Sequence, residues 1–352
     1  MKVAIAINGE GRGHLARAWA IAEGLIGRHS VLFLAPAHLR GELALAFPSA
    51  GVDVIPYLAF EQRGFRLDYP RTVARNAVLV ARMAIEARRL AVSLRDSGVD
   101  AVLSDFEPIS VRAARIAGVP SLQLNHPGIV TRVRDPGFEA FAARAVAGYM
   151  TGKPDRTVIC SFFSGDVGPI LRSELRERLR GPGVTRGEYV VAYRKESYGA
   201  ELDAALARTG AWRVRRFPNP DDDYPAALSG CAAVVAPAGH QSISEALAFG
   251  KPAFVVPVEG QYEQTLNARM LRASGFGDYA SASELASRLP SFLESLDGYV
   301  SAIDAYRANP AAYPGWRCLD ETDRAVSLVD SFLRGVGASA IDFALDRAKE
   351  AV

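Results

Sequence analysis

Short apolar runs alternate with longer stretches of helical period along most of this chain. Val3–Ile7 is a continuous apolar run, followed by a glycine-broken turn and a helical pattern over His14–Leu25. Val31–Ala35, Ala101–Ser104 and Ser121–Asn125 repeat the short pattern, with a helical period around Ser110–Ala117 between the last two. Short runs without polar alternation mark strands covered on both faces, and their alternation with helices predicts βαβ units on parallel sheets. The pattern breaks near Tyr149–Ser161, where Gly152, Lys153 and Pro154 interrupt it. It resumes at Tyr189–Tyr193 and runs through Ala232–Ala236, a helix at Ser242–Phe249 and a strand at Ala253–Pro257. The chain is therefore expected to fold as two α/β domains, 1–158 and 159–337, with a C-terminal helix over 338–352 packing back on the first.

Composition narrows the class. A chain of 352 residues has room for two domains, and 49% hydrophobic with 23% charged residues excludes disorder, collagen and coiled coil. No apolar run approaches the ~18 residues of a membrane span, and the opening segment turns to glycine after one short run, which predicts a cytoplasmic protein. Three scattered cysteines, Cys160, Cys231 and Cys318, suit neither a disulfide framework nor a zinc site. With 41 basic and 39 acidic side chains there is no excess charge to neutralise a nucleic-acid backbone. Basic residues outnumber acidic ones in the first half and the reverse holds in the second, so the first domain is the side suited to an anionic surface or substrate. Arg71 to Arg95 is an apolar stretch studded with arginines. It reads as a core-facing helix pair with a solvated charged side, and as the candidate for peripheral contact with the inner face of a membrane.

Gly9-Glu10-Gly11-Arg12-Gly13-His14 lies between a strand and a helix, where a glycine turn presents backbone amides to an anion. A nicotinamide site is not expected. The third glycine of its fingerprint is replaced by His14, and the second strand ends at Ala35-Pro36 without the acidic residue that holds the ribose. A richer segment runs from Ala236 to Leu271. Gly239 permits a sharp turn into a helix whose first amides, near His240, Gln241 and Ser242, suit a phosphate. Glu245 follows Ser242 by three residues on about the same face, placed for ribose hydroxyls. Ser242 and Glu245 also match a simple capping pair that needs no ligand. Glu259, Glu263 and Gln264 follow the next strand, where acid and amide side chains suit sugar hydroxyls.

Gly239, Ser242, Glu245, Gly250, Pro252, Pro257, Gln264 and Asn267 together resemble the nucleotide-sugar signature of inverting glycosyltransferases of the GT-B fold. The nearest types are the lipid II-forming N-acetylglucosaminyltransferase and the plant UDP-glycosyltransferases. The resemblance is strongest over 236–271 and extends weakly to the rest of the chain. It implies two Rossmann-like parallel-sheet domains facing each other across a cleft, with the donor on the second and the acceptor on the first. It also implies diphosphate at Gly239–Ser242, ribose at Glu245, and donor sugar at Glu263 and Gln264. Two departures stand out. Pro237 occupies the place of the plant enzymes' phosphate-binding histidine, and their uracil-stacking tryptophan has no match. Arg194 is the candidate for extra phosphate charge.

Inverting transfer needs a base for the acceptor hydroxyl, and histidine's ordinary pKa of ~6.5 suits that work. The resemblance assigns it to His14, oriented by Asp105; in the lipid II enzyme the matching histidine serves acceptor binding instead. Gly11, Gly13, Glu107 and His126 are candidates for the acceptor side of the cleft, although Asp105 to Pro108 also reads as a helix cap. No metal or other cofactor is expected, the nucleotide-sugar being a co-substrate. Asp221-Asp222-Asp223 sits in a proline-rich loop and reads as solvated capping. The acceptor stays open between a lipid, a glycan and a small metabolite. Two alternatives stand beside transfer: a nucleotide-sugar 2-epimerase of the same fold, for which Asp105 with Glu107 would supply cleft acids, and a non-catalytic nucleotide-sugar-binding protein.

Overall fold

Val3, Ile5 and Ile7 point to one face of the first strand and Ala4 and Ala6 to the other, and all five are buried, so that strand is covered on both sides. The computed structural model describes residues 1–350 except 182, 196–197 and 211, with side chains described as far as Gly337. Its first half runs β1 (Lys2–Ile7), α1 (Arg12–Leu25), β2 (Ser30–Ala35), α2 (Arg40–Ala46) and β3 (Gly51–Val54). A small hairpin follows, β4 (Gln62–Arg63) and β5 (Arg66–Leu67), then the long helix α3 (Tyr69–Asp96). The half closes with β6 (Ala101–Asp105), α4 (Pro108–Ala117), β7 (Ser121–Asn125), α5 (Phe138–Thr151) and β8 (Arg156–Ile159). Its six-stranded sheet is parallel, in the order β3-β2-β1-β6-β7-β8.

The second half runs α6 (Ser173–Arg180), β9 (Tyr189–Tyr193), α7 (Gly199–Ala207), β10 (Arg213–Phe217), α8 (Tyr224–Gly230), β11 (Ala233–Pro237) and α9 (His240–Ala248). It continues with β12 (Ala253–Val256), α10 (Tyr262–Ser274), β13 (Gly277–Tyr279), α11 (Leu285–Glu294), α12 (Leu296–Ala308) and α13 (Thr322–Glu350). Its five-stranded parallel sheet has the order β10-β9-β11-β12-β13. This is the GT-B architecture of two Rossmann-like sheets. The C-terminal ends of β1, β6 and β7 face those of β9, β11 and β12 across a cleft, which is where open parallel sheets bind ligands.

Two expectations change. Residues 71–95 form one unbroken helix, α3, because its only proline, Pro70, lies at the start and no glycine interrupts it. The C-terminal helix starts at Thr322 rather than near 338. Val329 and Leu333 of α13 are buried against the first domain, and Val326 fills the notch left by Gly24 on α1. The side chains of 338–352, on which the expected packing was placed, lie outside the described residues.

The cleft is bridged at several points. Hairpin residues make backbone hydrogen bonds to Glu259 of the second domain (Leu67 N–H to Glu259 O, 2.8 Å; Glu259 N–H to Phe65 O, 3.0 Å). Phe65 packs on Tyr198, ring centroids 4.7 Å apart. The Tyr69 hydroxyl donates to Gly260 O at 2.6 Å, and that of Tyr262 donates to Asp135 at 2.7 Å.

A Cβ on Gly24 would lie 2.5 Å from Val326 Cγ2. Gly24→Val is therefore expected to destabilise the protein by roughly 1–3 kcal/mol through overpacking, seen as a lower urea midpoint.

Candidate active site

The loop after β1 is built from positions that admit little else. Asn8 is buried, donates to Phe106 O at 2.9 Å and accepts from Glu10 N–H at 2.9 Å, which ties the loop to the one after β6. A Cβ on Gly9 would lie 2.6 Å from Pro36 Cγ, and Gly11 has φ +76°, a conformation costly for any other residue. The loop thus delivers His14 to the first turn of α1. That helix has no side-chain cap and no acidic residue in its first turn, so its amides stay open.

Asp105, at the end of β6, is buried and accepts three hydrogen bonds. His14 Nδ1 lies 2.8 Å from Oδ1, Arg17 Nε donates to Oδ2 at 2.8 Å, and Arg17 Nη2 donates to Oδ1 at 2.9 Å. Burial alone would raise the Asp105 pKa, but Arg17 and His14 outweigh it and hold the carboxyl below its usual range. A carboxylate on Nδ1 assigns the ring proton to that nitrogen and leaves Nε2, which has no partner among the described residues, as the acceptor. His14 lines the cleft cavity and lies nearly parallel to Phe106.

The opposite wall is α9. Its cap residue is Gly239, its first turn lacks acids and side-chain caps, and the amides of His240, Gln241 and Ser242 have no helical partner. Gly13 lies beside Gln241, where a Cβ would sit at van der Waals contact, 3.4 Å from Gln241 Cβ. Two uncapped helix N-termini therefore converge on one cleft, a geometry that attracts an anion. Glu245 is buried on the same helix, accepting from the Tyr224 hydroxyl at 2.7 Å and Gln241 Nε2 at 3.0 Å. Burial raises its pKa, which those two donors only partly offset. Tyr193, Tyr224 and Pro218 line the cavity beside it.

Between the walls sits a histidine pair. The rings of His126 and His240 stack 3.8 Å apart. His126 Nδ1 lies 2.9 Å from Cys160 O, and Nε2 lies 3.0 Å from Asn267 Oδ1 and 3.3 Å from Glu263 Oε1. The Asn267 amide donates to Ala238 O and Glu263, so both His126 nitrogens face acceptors. Burial would raise the Glu263 pKa, but His126 outweighs it and keeps the carboxyl below its ordinary value. Burial, then His126 and Arg17, push His240 well below the usual histidine range, and its Nδ1 is buried without a partner.

The cavity enclosed by these walls has a volume of about 1110 Å³. His14, Gly11, Gly13 and His126 reach it from the first domain; Gly239, His240, Gln241, Ser242, Glu245, Glu263 and Gln264 reach it from the second. Gln264 is also tied into its own loop, accepting from Val258 N–H at 3.0 Å. Arg194 lines the cavity but pairs with Asp203. Away from His14 the first-domain lining is largely apolar, with Val73, Ala77 and Val80 of α3 and Val146, Ala147 and Met150 of α5.

Glu107 does not belong to the cleft. It is fully buried as the cap of α4, accepting from Ile109 N–H at 2.9 Å and Ser110 N–H at 2.6 Å. The two cleft acids that would have favoured an epimerase are therefore not brought together. Among the described residues of the first domain, Glu10 is the acid that does line the cavity; burial raises its pKa against an amide bond from Phe60 and the nearby His14. Asp222 pairs with Arg215, and Asp223 caps α8. Sequence reasoning missed Arg17, Tyr193, Tyr224 and Glu10. Only Arg17 carried a local signal, as a lone cation inside the apolar run of α1, three residues from His14.

The family model of glycosyl transferase family 1 matches residues 1–221 and 198–297. A UDP-N-acetylglucosamine–N-acetylmuramyl-(pentapeptide) pyrophosphoryl-undecaprenol N-acetylglucosamine transferase of an Anaeromyxobacter species is 29% identical over 315 residues, 78% of this chain and 79% of the relative. An uncharacterized glycosyltransferase of Methanosarcina acetivorans is 34% identical over 115 residues, 33% of this chain, and that match spans 28% of the relative's length. Among solved structures, LpCGTa in complex with UDP superposes with a TM-score of 0.64 at 17% identity, covering 94% of this chain and 99% of the other. Phytolacca americana UGT2, complexed with UDP-2fluoro-glucose and pterostilbene, gives 0.60 at 17% identity, covering 95% and 99%.

Asp105→Asn would leave Arg17 buried without a counter-charge, at an expected cost of about 3–5 kcal/mol at neutral pH, measurable by urea denaturation. Because its folded pKa is depressed, the Asp105 contribution is present above the ordinary carboxylate value and lost as pH falls through the folded one. The variant should accordingly lose less stability than the wild type on acidification.

Proposed function

The chain belongs to glycosyl transferase family 1, and from that premise we propose that it moves a hexosyl unit, with inversion, from a nucleoside diphosphate sugar to a hydroxyl of a lipid-like acceptor. The observation that carries the reading is one cavity in which the His14–Asp105 pair of the first domain faces the uncapped start of α9 in the second.

In this reading the diphosphate lies against the amides of His240, Gln241 and Ser242, and Glu245 accepts the ribose hydroxyls. Tyr193 and Tyr224 flank the nucleobase, where the plant enzymes' stacking tryptophan has no match. UDP is the favoured nucleotide, since two structural neighbours are described with UDP or a UDP-sugar. His14 Nε2 takes the proton of the acceptor hydroxyl as its oxygen attacks the anomeric carbon. The bond from that carbon to the phosphate oxygen breaks on the opposite face, and the nucleoside diphosphate leaves with the electron pair. Helix amides meet the charge that builds on it.

Support for a lipid-like acceptor comes from the apolar part of the cavity lined by α3 and α5 and from the undecaprenol-linked substrate named for the Anaeromyxobacter relative. Val73 and Val80 of α3, which line the cavity, are themselves exposed, and so are Phe138 and Phe141 of α5. Helix α3 also carries Arg71, Arg75, Arg82, Arg88 and Arg89 on other faces, three of them beside carboxylates (Asp68, Glu61 and Glu86), and Arg82 and Arg88 are the exposed cations suited to an anionic membrane. Among the described residues no helix is long and apolar enough to cross a membrane, so such contact would be peripheral.

Calorimetry with UDP, dTDP and GDP is expected to show binding of one nucleotide, weakened by roughly 1–3 kcal/mol in Glu245→Ala through loss of a charged hydrogen bond. His14→Ala should lower turnover with a polyprenyl-linked acceptor about 10²–10⁴-fold while nucleotide binding stays intact. Undiminished turnover in that variant would remove His14 as the base.

A further inference from the structure

We propose that Arg17 is the positioning residue that keeps His14 available as a base; the inference rests on the reading of His14 as the group that takes the acceptor proton. His14 Nδ1 has two neighbours with opposite demands. Asp105 Oδ1, at 2.8 Å, can only accept and calls for an N–H; Arg17 Nη2, at 3.0 Å, can only donate and calls for a lone pair. Arg17 is itself buried and spends Nε and Nη2 on the two oxygens of the same carboxylate. A guanidinium does not give up its proton, so this cation is a fixed part of the site.

The charges around His14 explain why a cation is needed there. Three carboxylates act on the ring from three different elements: Glu10 from the loop after β1, Asp105 from β6, and Glu263 from α10. Each favours the imidazolium over the imidazole. Lys195 and Arg75 bear on Glu10, and His126 is paired with Glu263, but Asp105 is in direct contact with the ring. Unopposed, that carboxylate would stabilise positive charge on the ring and compete with the acceptor hydroxyl for its lone pair. Arg17 cancels the Asp105 charge while leaving its Oδ1 free to bond Nδ1. The ring is therefore oriented by a carboxylate whose charge is already balanced.

The test is the pH dependence of kcat/KM in the wild type, Arg17→Met, Arg17→Lys and the double variant Arg17→Met with Asp105→Asn. Arg17→Met should move the acid limb upward by about 1–3 pH units, the size of the effect of one charge within contact distance, with activity recovering at high pH. Arg17→Lys, which keeps the charge, should leave the limb near its wild-type place. The double variant restores a neutral pair beside His14 and strands no buried charge, so its limb should return towards the wild type even if Arg17→Met folds poorly. Histidine ring signals followed by NMR titration in the same proteins would show the same displacement without turnover. A uniform loss of activity at every pH, with no movement of the limb, would overturn the inference and leave Arg17 a packing residue. Persistence of the wild-type acid limb in His14→Ala would instead overturn the reading on which it rests.

Discussion

Asp105 is ionised in a place where burial alone would neutralise it, and the two groups that prevent this, Arg17 and His14, sit one turn apart on α1. That carboxylate orders the first-domain side of the cleft. It fixes the rotation of α1 about its axis, because two side chains of one helical face must reach the same pair of oxygens. It depends in turn on the register of the sheet, in which Ile7 pairs with Asp105 and brings the loop after β1 beside the end of β6. Gly9 of that loop is needed because its path passes close to Pro36 and Tyr57 before the helix begins, and Gly11 because of its positive φ.

The second constraint is electrostatic. α1 and α9 point their N-termini at the same space, and both lack the side-chain caps that would satisfy their first amides. Two positive helix ends this close repel, so the arrangement carries an unpaid cost that an anion between them would relieve. The site is preorganised for charge, and part of the protein's own stability is given up to keep it so.

Much of this was legible before the fold was known, because the signals are local. The glycine turn ahead of His14, the small-residue turn into α9 and the placing of Glu245 each follow from residues within one turn of helix. What was not legible depends on contacts distant in sequence or on competition between neighbours. Asp105 and Glu107 stand two apart after one strand, and either carboxylate could have turned into the cleft. Pro108, suited to the first position of a helix, places Glu107 just before it as the cap. Tyr224 reaches Glu245 only because α8 packs beside α9, which no local pattern announces. Residues 71–95 read as a helix pair but form one helix, because the backbone contains nothing to break it.

The hairpin between β3 and α3 belongs to both walls of the cleft. Its backbone is bonded to Glu259 and its Phe65 lies on Tyr198, near the strand end that carries Tyr193 and Lys195. The same short segment supplies Leu67 and Tyr69 to the apolar part of the cavity. The segment that fastens the first domain to Glu259 therefore also completes the apolar wall of the cavity, so a change that loosened the one contact would reshape the other.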